Sequence, residues 1–557
     1  MSNHFKSLIN AYVQVFPEDR EQLAMVFEQL LSESDEKLVD RKNLIGHFTA
    51  SAFVISKDTH RLLMIHHKAL CRYLQPGGHI NPENENPLAT AQRELLEETG
   101  IQQDKLRYFY VDSFNKLVPC NVSVHRIPEN RAKKESAHYH YDLQYLFLAD
   151  EELPLTPQES EVNAARWVNW ETFSGMNDAF NRMAKRVASV LKSSPERFLT
   201  ENIIEFKQGE CQCVAVQHII PSAVPMIKVL HKMFGKNLLV CAKRNSINSE
   251  VWEYLSTLGI HLTVASRSPE DPITYYGIRG RSLLIDIGGY FSQLATIPSL
   301  PIAGIIEDTE NGQRKYEQEI CNLKYPVFSV ARNILKDNED ELVGEDIVFG
   351  ADFILRRLNL LLRYMNVACI GYGKIGKGIC NQLSKLGVKP KIIECNSIRC
   401  IEAIRNGCEF LETSNLSNID ILFCATGSQC LNVIDLRSIK SGAYLILATS
   451  SDDELDFHYI LQEYSSTTIN EDILMYSNKY NYFYILNNGV PTNFVTDSAL
   501  GNYILLVNAA ILKIAARISN ADNKFPLGKI LSLDMEDNHF VASNWLTEFF
   551  SSPFSIQ

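Results

Sequence analysis

Long apolar runs are missing from this sequence of 557 residues. No uninterrupted stretch approaches the ~18 apolar residues that a bilayer-spanning helix needs. The opening MSNHFKSLINAYVQVF has no apolar run ahead of a cleavage site. The expectation is a cytoplasmic protein with no membrane partner. A basic excess is missing too: 54 Lys and Arg face 66 Asp and Glu, a net charge of −12. A duplex nucleic-acid binder usually carries a basic stripe, so none is expected here. The 13 cysteines show no repeated metal-ligand spacing. Cys211 and Cys213 sit too close in a strand-like run for a zinc knuckle, which leaves reduced, buried thiols as the reading. Internal repeats and low-complexity tracts are also absent. The remainder is ordinary globular stock, 45% hydrophobic and 22% charged, and long enough for roughly three to four domains.

Along the chain the texture changes three times. Residues 1–45 place apolar residues three and four apart and predict a helical lead-in. Residues 46–200 alternate short β-rich runs (TASAFVIS, RLLMIHH, YDLQYLFLA, ARWVNW) around one helix at 87–98, with a closing helix at 176–192 and a linker at KSSPERF. From about 200, strands and helices alternate, which predicts parallel sheets with helices on both faces. Residues 201–345, with C-terminal elements, form one lobe, and 346–520 form a second. A long helix connects them at 345–364, and 521–557 is a C-terminal tail.

The helix at 87–98 carries the strongest pattern. Glu94, Glu97 and Glu98 are spaced i, i+3 and i+4, so their carboxylates share one helical face. Three like charges so placed repel unless a cation holds them, and oxygen ligands suit Mg²⁺ or Mn²⁺. Gly100 fits a helix end at positive φ. The segment Gly77–Ile101, GGHINPENENPLATAQRELLEETGI, resembles the Nudix hydrolase box, matching R-E-U-x-E-E-x-G-U at every fixed position from Arg93. Glu85 stands eight residues before Arg93 as in that family, although six residues rather than five separate it from Gly78. The resemblance implies an α/β/α sandwich that hydrolyses a nucleotide or other nucleoside-diphosphate derivative, with Glu94, Glu97 and Glu98 as catalytic and metal-binding residues. Glu85 and Arg93 then orient the loop and helix. Within residues 71–170, YLQPGGH, SVHRIP and AHYHYDLQYLFLA look like a bacterial subgroup of the family. His138, His140 and Asp142 alternate, so they face one side of a strand. With Gly78, His79 and His125 they are candidates for the substrate cleft. A plain polar face and a second metal site are the other readings. Glu159 or Glu161 is a candidate late carboxylate.

The second half opens another pattern at NVACIGYGKIGKGICNQLSKLGVKPKIIEC. Gly371, Gly373 and Gly376 lie between a strand and a helix, and Glu394 ends the next strand. This is the dinucleotide fingerprint in its proper context, with a pyrophosphate expected at the helix N-terminus and a ribose on the acid. An acid there favours NAD over NADP.

Residues 205–520 resemble S-adenosylhomocysteine hydrolase through DIGGY, IIEDTENGQRKY, PVFSVARNILKDNEDELVG, GYGKIGKG, EAIRNG, CATGS and DDELD. The resemblance implies tightly held NAD, with Gly371, Gly373, Lys374, Ile375, Gly376, Glu394, Thr309, Thr426, Gly427 and Asn487 at the cofactor. It matches Lys336 and Asp340 to the family's catalytic Lys and Asp, and His218 to a substrate-lobe His. It also implies a homo-oligomer. Several family residues are replaced. Glu341, Glu345, Arg399 and Ser450 stand for Asn, Cys, Asn and His. Ile287 stands for one Asp of DDGG, and Asp308 for Glu. The family's Lys/Tyr tail is not recognisable. The second half is therefore read as an adenosylhomocysteinase-like module with altered catalytic residues. It either acts on a nucleoside-like or sugar substrate or serves as a non-catalytic module through which NAD or an adenosyl ligand regulates the first half.

Overall fold

The computed structural model describes residues 4–56, 61–81, 86–112, 115–129, 136–158, 162–191, 193–203, 206, 209–267, 269–449, 454–520 and 524–550. It divides into two compact units, residues 1–197 with the chain end from Leu546, and residues 198–545. Glu85, Glu159, Glu161 and Ser450 lie outside the described residues.

The first unit is built on β1 (Gly46–Ser56), β2 (Leu62–His67), β3 (Arg72–Leu74), β4 (Gly77–His79), β5 (Arg107–Phe109), β6 (Asn121–Ile127), β7 (His138–Ala149) and β8 (Val162–Val168). The sheet runs β3-β2-β1-β7-β5, with β4 on β1, β6 on β7 and β8 on β2. β1 and β7 are parallel along their whole length, Gly46 opposite Tyr139 through Ser56 opposite Ala149.

Strand alternation sorts β1 into two faces. Phe48, Ala50, Ala52 and Val54 join Ala91 and Leu95 of the helix Pro87–Thr99, together with Phe5, Ile9 and Tyr12 of the lead-in helix His4–Val15. Phe53 and Ile55 pack on Phe173, Phe180 and Val187 of the helices Trp170–Met176 and Asp178–Leu191. The expected closing helix at 176–192 is Asp178–Leu191, and a further helix, Trp170–Met176, precedes it across Asn177, whose φ of −168 and ψ of 170 are extended. The expected linker KSSPERF ends in a further helix, Pro195–Glu201, with Phe198 and Leu199 buried. The other odd positions of β1, His47, Thr49 and Ser51, are polar and buried. They make this end of the sheet a polar floor.

In the second unit the strands are β9 (Gln212–Ile219), β10 (Leu238–Ile247), β11 (His261–Val264), β12 (Ser282–Asp286), β13 (Ile302–Glu307) and β14 (Val327–Ser329). They continue as β15 (Val367–Ile370), β16 (Lys391–Ile393), β17 (Glu409–Phe410), β18 (Ile421–Cys424), β19 (Ala443–Leu447), β20 (Ser465–Asn470), β21 (Ile473–Ser477), β22 (Tyr482–Leu486) and β23 (Ile530–Leu531). The first lobe is a parallel sheet ordered β11-β10-β9-β12-β13-β14-β23. The second is ordered β17-β16-β15-β18-β19-β22-β21-β20. From β17 to β22 its strands are parallel and follow the 3-2-1-4-5-6 order of a dinucleotide-binding fold.

The connecting helix begins earlier than expected, at Lys336, and runs to Arg357. The antiparallel hairpin β20–β21 has no counterpart in the expected elements, because its outer strand SSTTIN is exposed at every residue and shows no apolar alternation. The helix Ile504–Ser519 falls inside the expected second lobe but packs on the first lobe's sheet, where Ile518 meets Gly304. Among the described residues, Gly501–Ser519 alone is long and apolar enough by composition to cross a membrane, and 72% of it is buried inside the protein. Its apolar residues surround the helix because a sheet and its neighbours cover it on all sides.

Candidate functional site

The first unit positions its carboxylates with one well-capped helix. Asn86 accepts from the Ala89 N–H, Pro87 takes the first turn, and Gly100 ends the helix at φ 80°. Glu98 is only 3% exposed and accepts the Gly77 N–H at 2.9 Å. Glu94 lies against Gly78, where any Cβ would come within 2.2 Å of its carboxylate. Glu97 is the open member, with 47% of its side chain exposed. Arg93 donates to Glu94 at 2.8 Å, to Glu97 at 3.2 Å and to the His79 carbonyl at 3.2 Å. Helix and preceding strand are thereby tied at two points, Arg93 to His79 and Glu98 to Gly77. Of the residues expected here, Gly78 lies against Glu94, Arg93 joins Glu94 to Glu97, and Glu98 turns to Gly77.

His79, His125, His138 and His140 also come together, around a fifth histidine that sequence reading did not pick out. His47 lies opposite His140 in the parallel register of β1 and β7, and His125 lies opposite His140 from β6. The His47 ring stands 5.2, 5.1 and 4.7 Å from those of His79, His138 and His140. Burial, with His138 beside it, pulls His47 down to about 4. Burial, with four imidazole neighbours, pulls His140 down to about 2. Both rings are therefore neutral near pH 7. Asp142 is fully engaged, accepting from Thr49, Ser51, Gln75 and Gln144 at 2.7–3.3 Å. It ties strands together beneath the polar floor.

In the second unit a cleft of about 1210 Å³ opens at the C-terminal ends of both parallel sheets, where such folds bind ligands. His218, Thr309, Lys336, Asp340, Gly371, Gly373, Lys374, Ile375, Glu394, Thr426 and Gly427 line it. Gly376 and Asn487 do not. Gly376 is a packing glycine, since a Cβ would meet the Gly371 carbonyl at 2.1 Å. The Asn487 amide turns away to the Pro491 carbonyl.

Three glycines separate by cause here. Gly371 has φ +95° and abuts the Ala425 carbonyl, so the backbone demands it. Gly373 has φ −75° and precedes the helix Lys374–Lys385, whose end lacks a side-chain cap. A Cβ on Gly373 would meet nothing nearer than Arg399 at 3.9 Å. The fold does not require glycine there, whereas a close-lying pyrophosphate would. Glu394 accepts the N–H groups of Tyr372 at 2.7 Å and Asn396 at 2.8 Å. Burial opposes its charge, but these bonds and Arg399 hold its carboxyl below the usual range.

Lys336 is buried among carboxylates, 2.9 Å from Asp308, 3.2 Å from Glu339 and 4.0 Å from Asp340. Burial works against its charge, yet the three acids outweigh it and keep the amine protonated. Lys374 bridges Asp337 and Asp340 at 2.9 and 3.4 Å. His218 bonds Ser246 at 2.5 Å and packs on Phe494. Burial, with Lys243 and Lys336 near, keeps it neutral. Two supporting acids went unnoticed in the sequence. Buried Glu307 accepts from Gly288, Gly289 and Thr309, shaping the turn after β12. Buried Glu454 accepts from Thr426 and Gly427, shaping the turn after β18.

Residues 46–190 match the family model of the NUDIX domain, and residues 349–493 that of the S-adenosyl-L-homocysteine hydrolase NAD binding domain. The chain joins these two domains. Its second half is 28% identical over 255 residues to adenosylhomocysteinase of Sulfolobus acidocaldarius, covering 43% of this chain and 60% of that protein. The Thermotoga maritima adenosylhomocysteinase is 27% identical, covering 41% of this chain and 59% of that protein. The chain thus spans about three-fifths of these relatives. A solved C. elegans Ap4A hydrolase is 15% identical to this chain, with 26% of this chain and 96% of that one covered and a TM-score of 0.21. The NUDIX match spans the carboxylate helix and the histidine floor, and the NAD-binding match spans the glycine turn, Glu394 and Thr426.

Proposed function

We propose that the NUDIX unit is a metal-dependent pyrophosphohydrolase acting on a nucleoside-diphosphate-linked substrate. The observation that carries this is the graded carboxylate face, with Glu98 anchored on Gly77, Glu94 seated where a Cβ at Gly78 would displace its carboxylate, and Glu97 open. The donor set fits Mg²⁺ or Mn²⁺, which would be held by Glu94, Glu97 and Glu98. Such an ion neutralises phosphate oxygens and lowers the pKa of a bound water. The chain's own part is orientation, since Arg93 fixes Glu94, Glu97 and the His79 carbonyl as one body. Glu97→Gln should lower Mg²⁺-dependent release of nucleotide products about 10²–10⁴-fold, read by chromatography of a panel of nucleoside-diphosphate adducts. Retained turnover would sink the assignment.

For the second unit we infer an NAD site, with the pyrophosphate over Gly373 and the ribose on Glu394. Lys336 and Asp340 stand where a substrate in the cleft would meet them. Buried Lys336 stays charged, which suits holding a substrate oxygen better than accepting a proton. A module that binds NAD or an adenosyl ligand to regulate the NUDIX unit is the second reading, favoured by Glu341, Glu345 and Arg399 at positions where the resembled family carries other residues. Mass spectrometry of small molecules released on denaturation tests NAD retention. A ligand that alters hydrolysis without being consumed would mark regulation, and its conversion would mark a second reaction. The 13 cysteines are all free thiols, which supports a reducing compartment such as the cytoplasm.

A further inference from the structure

The polar floor of the NUDIX unit holds an arrangement that the carboxylate site does not account for. His47 is fully buried, and neither ring nitrogen meets a hydrogen-bond partner. The Asn43 backbone faces the ring and falls short of hydrogen-bond geometry. Leaving a buried polar group unmatched is costly, a cost the neighbouring histidines do not relieve by hydrogen bonding to it.

The orientation of His138 adds a second observation. Its Nδ1 stands 2.8 Å from the Ser136 carbonyl, which only accepts, so Nδ1 carries the proton. In the neutral ring Nε2 then presents a lone pair, and it stands 3.3 Å from His140 Nε2. Two nitrogens on one tetrahedral ion, each at about 2.0–2.1 Å, are separated by about 3.3–3.4 Å. One nitrogen from each of His47, His138 and His140 lies within 4.8 Å of the others. A carbonyl holding the far nitrogen of a ligating imidazole is the usual outer-shell support of such sites.

We propose that His47, His138 and His140 form a second metal site, for a late first-row transition ion of the zinc class. Three imidazole ligands suit Zn²⁺, whereas Mg²⁺ prefers oxygen. The site is thus chemically separate from the ion proposed for Glu94, Glu97 and Glu98. Three histidine ligands leave one position of a tetrahedral ion for water or an anionic oxygen. The His79 and His125 rings, 5.3 and 5.7 Å from His140, flank it.

Cobalt is the probe, because tetrahedral Co²⁺ absorbs visibly. The full chain is stripped with a chelator and titrated with Co²⁺, then with Zn²⁺ or Mg²⁺. One equivalent of absorbing Co²⁺ is expected, displaced by Zn²⁺ and not by excess Mg²⁺. It should persist in Glu97→Gln, which separates this site from the carboxylate reading. Because His47→Asn alters a buried position, half-buried His140→Asn carries the test, with circular dichroism confirming the fold. His140→Asn should weaken Co²⁺ binding at least about 10–100-fold, the size that even an outer-shell change produces. Absence of absorbing Co²⁺ in the wild type overturns the proposal and leaves a stack of neutral histidines. Loss of the signal in Glu97→Gln, or an unchanged signal in both His138→Asn and His140→Asn, overturns it too.

Discussion

Both units gather three carboxylates beside a helix, and they settle the charge differently. In the second unit Asp308, Glu339 and Asp340 surround buried Lys336, so the cluster supplies its own cation. In the NUDIX unit Arg93 stands at the edge of Glu94, Glu97 and Glu98, bonded to Glu94 and Glu97. There the proposed metal ion would supply the central charge. A carboxylate cluster thus reads as a metal site only when no buried lysine already occupies its centre.

The largest effect should come from removing that internal cation. Lys336→Met leaves three acids around an apolar tip, and breaking a buried ion pair from one side costs about 3–5 kcal/mol. Urea unfolding should show this loss, and Mg²⁺ should not restore it. A loss under about 1 kcal/mol would mean that the cluster does not depend on its lysine. In the NUDIX unit the matching change is Gly78→Ala. Its methyl group would displace the Glu94 carboxylate, now 2.2 Å from where it would sit. A misplacement of about 1 Å is enough to lower turnover about 10²-fold. Hydrolysis assays and unfolding curves on the same preparation should show activity falling well before stability does. Undiminished hydrolysis would remove Glu94 from the site.

The acids around Lys336 should also make stability depend on pH. Burial pushes Glu339 up to about 8, with Lys336 opposing and Asp308 and Asp340 adding. The unfolded chain releases this proton near 4.5, the ordinary glutamate value. Stability carried by the proton is full below about 4.5, declines as pH rises, and is gone above about 8. Glu307 is pushed up to about 8 as well, by burial and then by Asp286. Glu339→Gln should therefore reduce the decline between pH 5.5 and 8 without abolishing it, as measured by urea midpoints. Identical slopes in variant and wild type would show that Glu339 is ionised throughout.

Much of this was legible because the decisive signals are local. The carboxylate helix lies within thirteen residues, and its cap residues, spacing and terminal glycine all point the same way. The glycine turn and Glu394 are likewise carried by one βαβ stretch. His47 escaped because its partners are distant in sequence. It meets His140 only through the parallel register of β1 and β7, and pairing partners of that kind leave no spacing to read. The one available hint was the alternation His47, Thr49, Ser51 against Phe48, Ala50, Ala52, which marks a polar face without naming its partners. Glu307 and Glu454 escaped for another reason. Each satisfies backbone N–H groups at a strand end, a role that any buried acid near a tight turn can fill.

The smallest expected effect is also the sharpest test of the second unit. Gly371 and Gly376 are required by the fold, through positive φ in one and a 2.1 Å contact in the other. Gly373 has neither constraint, with φ −75° and open space around its missing Cβ. Gly373→Ala should therefore change stability by no more than about 1 kcal/mol, the range of a cap or backbone-entropy effect. If the turn holds a pyrophosphate, the same methyl group stands between ligand and backbone, and NAD affinity should fall at least about tenfold, or 1.4 kcal/mol. Calorimetric titration with NAD beside a thermal melt separates the two. A stable variant that binds NAD as well as the wild type would leave this glycine without a ligand to explain it, and the inferred pyrophosphate site would have to move elsewhere in the cleft.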